Sequence, residues 1–314
     1  MTTSAGQFSR HRSAPAASLI VAATAWGIGS IFIRNSHVSG LTTSAWRLVI
    51  SIPVMLVLAK SAGQPVTKKS IITMAPCGVL FGVNSVLGFT ALKTTTVAAS
   101  SMLGSIYPVF LVILAVPLLH EKITRKQLLL SMAVLFGVGV IVLGADATHA
   151  IHKSGQVQHS LRGDLYAFCA SCVWAVYFVK TKRIRELGMQ PLAMLSSVMI
   201  SASITVFPIA AIFAKDFTHY GTIGWGWLVA MVFIPGAIGH GLLNWAHKYV
   251  NASLSSVLLQ LNTVVAILVG WLKFGENLNV EQWLAVALVI SCLIALALAH
   301  SQAPIDAEAA LDHA

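Results

Sequence analysis

In a chain this apolar, the side chains able to do chemistry stand out by their spacing. His240, Asn244 and His247 fall at i, i+4 and i+7, on one face of a helix. Ser255, Ser256, Gln260 and Asn262 share a second apolar stretch. Ser100, Gly104 and Tyr107 line one face of a third, with Pro108 next. Asn and Gln both donate and accept, which suits a zwitterionic or hydroxylated solute, or hydrogen bonding between helices. Pro108 removes a backbone hydrogen bond and is expected to kink its helix, freeing a carbonyl that could hold a solute. The alternative is a plain kink with a packed tyrosine. Asn84 lies near the internal equivalent of His240. An imidazole titrates near pH 6.5, so His240 is a candidate proton carrier, or else a neutral ring bonded to a neighbouring helix. Trp26, and Trp174 with Tyr177 three residues on, could form walls that bury apolar surface and face an ammonium group. Tryptophan also gathers at membrane interfaces, and that reading is preferred for Trp225, Trp227, Trp271 and Trp283.

What is missing narrows the chemistry. Asp146, Asp164, Glu121, Glu276 and Glu281 all fall near the ends of apolar runs, so no carboxylate is expected deep in a span. A carboxylate proton relay or cation pump needs a buried acid, so facilitated diffusion or exchange gains weight. Arg34 and Arg47 are expected to flank the first outer loop; they could attract an anionic group, but snorkelling to the interface is the preferred reading. Cys169 and Cys172 form a CxxC inside an apolar helix, without the polar helix start that redox chemistry requires. His149, His152 and His159 share a polar loop lacking acid or thiol partners, which reads as solvated rather than metal-binding. No catalytic residue, metal or cofactor is expected.

The elements that must position these groups follow from composition. The 314 residues are 57% hydrophobic and 10% charged, with a mean hydropathy of +0.81. So little charge cannot cover a soluble domain of this length, and so much apolar surface excludes a disordered chain. The fold class is all-α integral membrane, because helices satisfy their own backbone in lipid. Ten spans are expected, near 15–34, 41–59, 71–92, 95–118, 127–145, 164–181, 190–213, 225–247, 251–272 and 282–300. The first is too long for a signal h-region and lacks a clear cleavage site, so it is read as retained. Thirteen of the 20 Lys and Arg fall on one side if the N-terminus is cytoplasmic. Both termini are therefore expected inside, in a plasma (bacterial inner) membrane. The net charge of +10 serves orientation, and no nucleic acid partner is expected. Gly78 with Gly82, and Ala133 with Gly137, are spaced for close helix approach. The fifth and tenth spans, poor in polar groups, read as scaffold or a homodimer face.

The chain also repeats itself at an offset of 155. Lys93 aligns with Lys248, Ser100-Ser101 with Ser255-Ser256, Glu121 with Glu276, Gln127 with Gln282 and Pro53 with Pro208. This divides the chain into a tail (1–14), a first five-helix repeat (15–146), a loop (147–163), a second repeat (164–300) and a second tail (301–314). Five spans per repeat is odd, so the second half is inverted. Inverted repeats belong to carriers whose site lies near the midplane, between the halves.

Several of these residues together resemble a known family. Trp26-Gly27, Ala91-Leu92 with a Thr-rich turn and Ser100, Pro108-Val109-Phe110 and the closing Glu121 are similar to the EamA type of the drug/metabolite transporter superfamily. Trp174-Ala175, Ser255-Ser256 and Gly275-Glu276 match in the second half, so the resemblance covers about residues 15 to 300. It departs from the usual pattern at Lys93 and Lys248. The resemblance implies ten helices in two inverted repeats and export of small metabolites, often amino acids or toxic analogues. The expected partners are then a small-molecule solute and membrane lipid. Uptake or exchange of a vitamin, sugar or sugar-phosphate is the rival, with a phosphate demanding a midplane Lys or Arg. A lipid-modifying membrane enzyme and a non-transporting scaffold are further rivals.

Overall fold

The computed structural model describes residues 4–110, 113–114, 125–147, 158–246, 258–259 and 261–301. All regular structure among them is helical. In chain order the helices are α1 (Ser4–Gly27), α2 (Gly29–Arg34), α3 (Gly40–Ser61), α4 (Lys68–Thr94), α5 (Val97–Ser105) and α6 (Arg125–Ala147). There follow α7 (Leu161–Glu186), α8 (Pro191–Phe213), α9 (Thr222–Met231), a π-helical segment (Val232–Gly239), α10 (His240–Ala246), α11 (Leu261–Phe274) and α12 (Val280–Ser301). Among the described residues, five stretches are long and apolar enough to cross a bilayer: Ala14–Arg34, Gly40–Ser61, Lys68–Thr94, Pro191–Phe213 and Thr222–Leu243. Large apolar side chains such as Val57, Ile72, Phe136, Ile204 and Leu284 point outward, as a lipid solvent requires.

Local sequence sets the helix boundaries. Thr67 and Ser70 form a reciprocal capping box at the start of α4. Ser39, Thr96 and Ser160 each accept a backbone N–H at the starts of α3, α5 and α7. Pro108 interrupts helix at Ile106, where the sequence predicts a kink. Pro235 sits in the π-helical segment, a change of winding the sequence did not announce.

Helix pairing follows small residues. A methyl added at Gly78 would lie 2.3 Å from the Ser201 Cβ, and one at Gly82 2.7 Å from Val206, so α4 and α8 approach nearly backbone to backbone. Gly137 meets Val289 in the same way, which closes α6 on α12. Gly27 meets Val265 and the carbonyl of Asn262, bringing α1 onto α11. The remaining pairings are α3 with α8, α4 with α7, α5 with both α7 and α11, and α1 with the π-helical segment and α10.

Candidate functional site

At one end of the bundle, polar side chains from distant segments lock together. Arg34, closing α2, donates to a Glu276 oxygen at 2.9 Å, and both side chains are almost completely buried. Arg34 also donates to the carbonyls of Leu92 and Thr95. Glu276 accepts from the backbone N–H groups of Val97 at 2.7 Å and Ala98 at 3.1 Å, where the positive end of α5 favours a carboxylate. Thr95 donates to Asp164 at 2.8 Å, and Asp164 also holds His159. Asp216, between α8 and α9, accepts from Ser39 and, at 2.6 Å, from Thr42. Burial raises the Asp216 pKa, but these hydrogen bonds outweigh it and hold the carboxyl below its usual range. Lys93 donates to Ser36 at 2.7 Å. Arg34 therefore does not snorkel, contrary to the sequence expectation. Its guanidinium is consumed by a buried carboxylate and two carbonyls, a better set of partners than an interface offers.

Beside this network, between the end of α4 and the start of α7, lies an open cleft of about 590 Å³. Thr90, Lys93, Thr94, His159 and Arg162 contribute to its walls. One turn deeper on the Lys93 face of α4 is Phe89, and the Arg47 guanidinium stacks over its ring at 5.4 Å. Arg47 is the second departure from expectation. It lies seven residues inside α3, about 10 Å along the helix, and its Nε is buried without a hydrogen-bond partner. Ser44, one turn earlier on the same face, is fully buried and its hydroxyl is also unpartnered. The His240 ring packs against Trp26 at 5.0 Å. Trp26 is fixed by a 2.8 Å hydrogen bond from its Nε1 to the Pro235 carbonyl. Trp26 and His240, both singled out from sequence, thus meet each other.

A second wall lies on α4 and α7. Trp174 and Tyr177 stack at 4.8 Å, with Phe81 against both. Phe178 edges onto Trp174 and stacks on Tyr107 at 5.3 Å. This wall shares its core with Ala45 and Leu48, which flank Arg47 in sequence, and with Ala237 of the π-helical segment.

Other candidates are spoken for. The Asn84 amide donates to the Ala170 carbonyl at 2.9 Å, tying α4 to α7. Pro108 cannot bond the Gly104 carbonyl, but Ser171 does, at 3.2 Å, so that carbonyl is not open to a solute as expected. Ser100 is buried in α5, and Asn262 is half-buried where α11 meets Gly27. Gln260, His247, Ser255, Ser256, Glu121, His149 and His152 lie outside the described residues, as does the side chain of Asn244. Trp225, in the first turn of α9, takes part in an aromatic cluster. It packs on Trp46 at 5.1 Å and Tyr220 at 4.8 Å. Trp227 packs on Phe32, whereas Trp271 and Trp283 are exposed. Trp46, not singled out from sequence, anchors this cluster by donating to the Phe217 carbonyl at 2.9 Å.

Long apolar helices whose large apolar side chains face outward define a multi-pass membrane protein. The model of the EamA-like transporter family matches twice, over residues 15–143 and 161–298, and the chain belongs to that family of transporters. It is 25% identical over 263 residues to the uncharacterized transporter YyaM of Bacillus subtilis (strain 168), covering 81% of this chain and 83% of that one. It is 23% identical over 279 residues to an uncharacterized transporter of Archaeoglobus fulgidus, covering 88% and 93% respectively. A solved crystal structure shares the fold with a TM-score of 0.63 at 18% identity, over 92% of this chain and 98% of that chain.

Proposed function

We propose that the chain is an alternating-access carrier of ten spans in two inverted five-helix halves, exporting small organic metabolites, amino acids foremost. The observation that carries this reading is the Arg34–Glu276 network, which joins segments of both sequence halves at one end of the bundle. Carriers need such reversible seals, made of bonds that water can replace when the end opens. The double family match supports two related halves. So does the reciprocity of the pairings: α1 with the α9–α10 region answers α7 with α4, and α1 with α11 answers α7 with α5. In this reading the Arg34 end faces outward, the termini are cytoplasmic, and α6 with α12 serves as scaffold. Trp26, His240, Trp174 and Tyr177 contact the solute near the midplane. The acids Asp164, Glu276 and Glu281 stand at helix ends or in connections, so exchange proceeds without a carboxylate proton relay.

The test is counterflow in proteoliposomes, using labelled amino acids and no ion gradient. Saturable exchange that falls with Trp174→Ala is the expected result. Absence of exchange for every amino acid, in protein shown to be folded, defeats the amino-acid assignment. Arg47 supplies the buried cation that a sugar-phosphate would require, and phosphate esters therefore form the second panel.

A further inference from the structure

We infer that Arg47, with Ser44, is the anchor for a carboxylate of the transported solute. This rests on the carrier reading and names the chemical class it takes. A guanidinium inside a membrane helix is expensive and is normally paired or used. Other charged groups turned inward have partners: Arg34 has Glu276, His159 has Asp164, and Asp216 has Ser39 and Thr42. Among the described residues Arg47 has no carboxylate partner, and its Nε makes no hydrogen bond. Phe89 covers one face of the guanidinium, which leaves the donor edge of the planar fork as the part able to bind. Ser44, one turn away, brings a second unsatisfied buried donor to the same face of α3. Two unpartnered donors one turn apart on one helix face suit the two oxygens of one carboxylate.

The surroundings select further. Phe89 lines the site with ring surface, which favours an apolar or aromatic remainder on the solute. The cleft at the end of α4 carries Lys93 and Arg162, which give that end of the bundle a basic surface that attracts anions. Lys93 is held by Ser36, and Arg47 is then the one guanidinium at the stacked site. A single positive charge balances a carboxylate and leaves a dianionic phosphate ester half-compensated, so the carboxylate is the better fit.

The experiment pairs binding with exchange. Purified protein in detergent is melted with each amino acid, its carboxamide, its 2-oxo acid and, separately, glucose 6-phosphate. The same compounds compete for counterflow in proteoliposomes. Acid and 2-oxo acid forms are expected to stabilise and compete about tenfold or more better than the amides. Arg47→Gln removes that preference, and Ser44→Ala weakens it. Arg47→Lys, which keeps the charge without the fork, retains part of it. Without ligand, Arg47→Gln is expected to melt at or above the wild type, because it removes a half-buried charge that has no carboxylate partner among the described residues. A lower melting temperature would mark Arg47 as a structural strut and overturn the anchor. So would equal stabilisation by amides and acids, stabilisation by the phosphate ester alone, or no stabilisation by any acid. Acid binding without exchange would uphold the anchor while defeating the carrier reading. Exchange of amides as fast as acids would uphold the carrier and defeat the anchor.

Discussion

Glu276→Gln is the sharpest test of the sealed end. Glu276 is almost fully buried, pairs with Arg34 at 2.9 Å, and accepts two backbone N–H groups from α5. Glutamine keeps the shape but lacks the charge, so Arg34 is left buried without compensation. Breaking a buried pair from one side costs about 3–5 kcal/mol. If the lower figure falls on the sealed state alone, the open population rises by on the order of 100-fold. A bundle sealed about 99 times in 100 would then be open roughly half of the time. The assay is labelling by a membrane-impermeant maleimide. The background is a protein whose Cys77, Cys169, Cys172 and Cys292 have been replaced, with a single Ser30→Cys reporter. Ser30 lies one turn behind Arg34 on α2 and is buried. The reporter should react slowly while Glu276 is present and much faster in the Glu276→Gln variant, from one side of the membrane only. Removing the charge from both partners while keeping an acceptor for the Val97 N–H, by Arg34→Gln with Glu276→Gln, should restore slow labelling, since no buried charge is then left alone. Equal labelling with and without the Glu276→Gln substitution, in protein that expresses and binds normally, would refute the idea that this pair closes the end.

Three further outcomes follow from the packing. Gly78→Ala forces a methyl into the Ser201 side chain and should destabilise by about 1–3 kcal/mol, whereas Gly139→Ala, which meets nothing within 4 Å, should not; thermal melting in detergent separates them. Ser171→Ala leaves the Gly104 carbonyl without its partner beside Pro108 and should destabilise by about 1–3 kcal/mol, while Ser291→Ala, on an exposed helical hydroxyl, changes little in the same melting assay. Because Asp216 has a folded pKa below its unfolded value, its contribution is complete above the usual carboxylate range and is lost as pH falls through the folded value. The melting gap between wild type and Asp216→Asn should therefore be present at pH 7 and close in acid; a gap that persists below about pH 2 would contradict this.

The helices were legible because lipid-facing runs must be apolar, and helix approach was legible because Gly78 and Gly82 leave no other use for two glycines four apart. The Pro108 interruption and the Trp174–Tyr177 stack also follow from local spacing. Arg34 with Glu276 was not legible, since their pairing depends on how α2 and the segment after α11 meet, and no local pattern encodes that. Arg47 was misread for a related reason. Counting charges by position in an apolar run assigns an arginine near the run's start to the interface, whereas Phe89 and the α3 packing hold it inside. Its one visible signal was that it breaks an otherwise apolar stretch without a nearby acid to accompany it. The Gly104 carbonyl was expected to be open because Ser171 belongs to a helix far away in sequence.

The central claim is that the two ends of the bundle open in alternation, and a pair of distances tests it directly. Spin labels on the exposed residues Lys215 and Lys273 report the Arg34 end, and labels on the exposed Lys69 and Arg125 report the opposite end. Electron–electron resonance then compares the native seal with Glu276→Gln. The account predicts that the Lys215–Lys273 distance lengthens while Lys69–Arg125 shortens. Two distances that lengthen together, or a seal broken with neither distance changed, would contradict it.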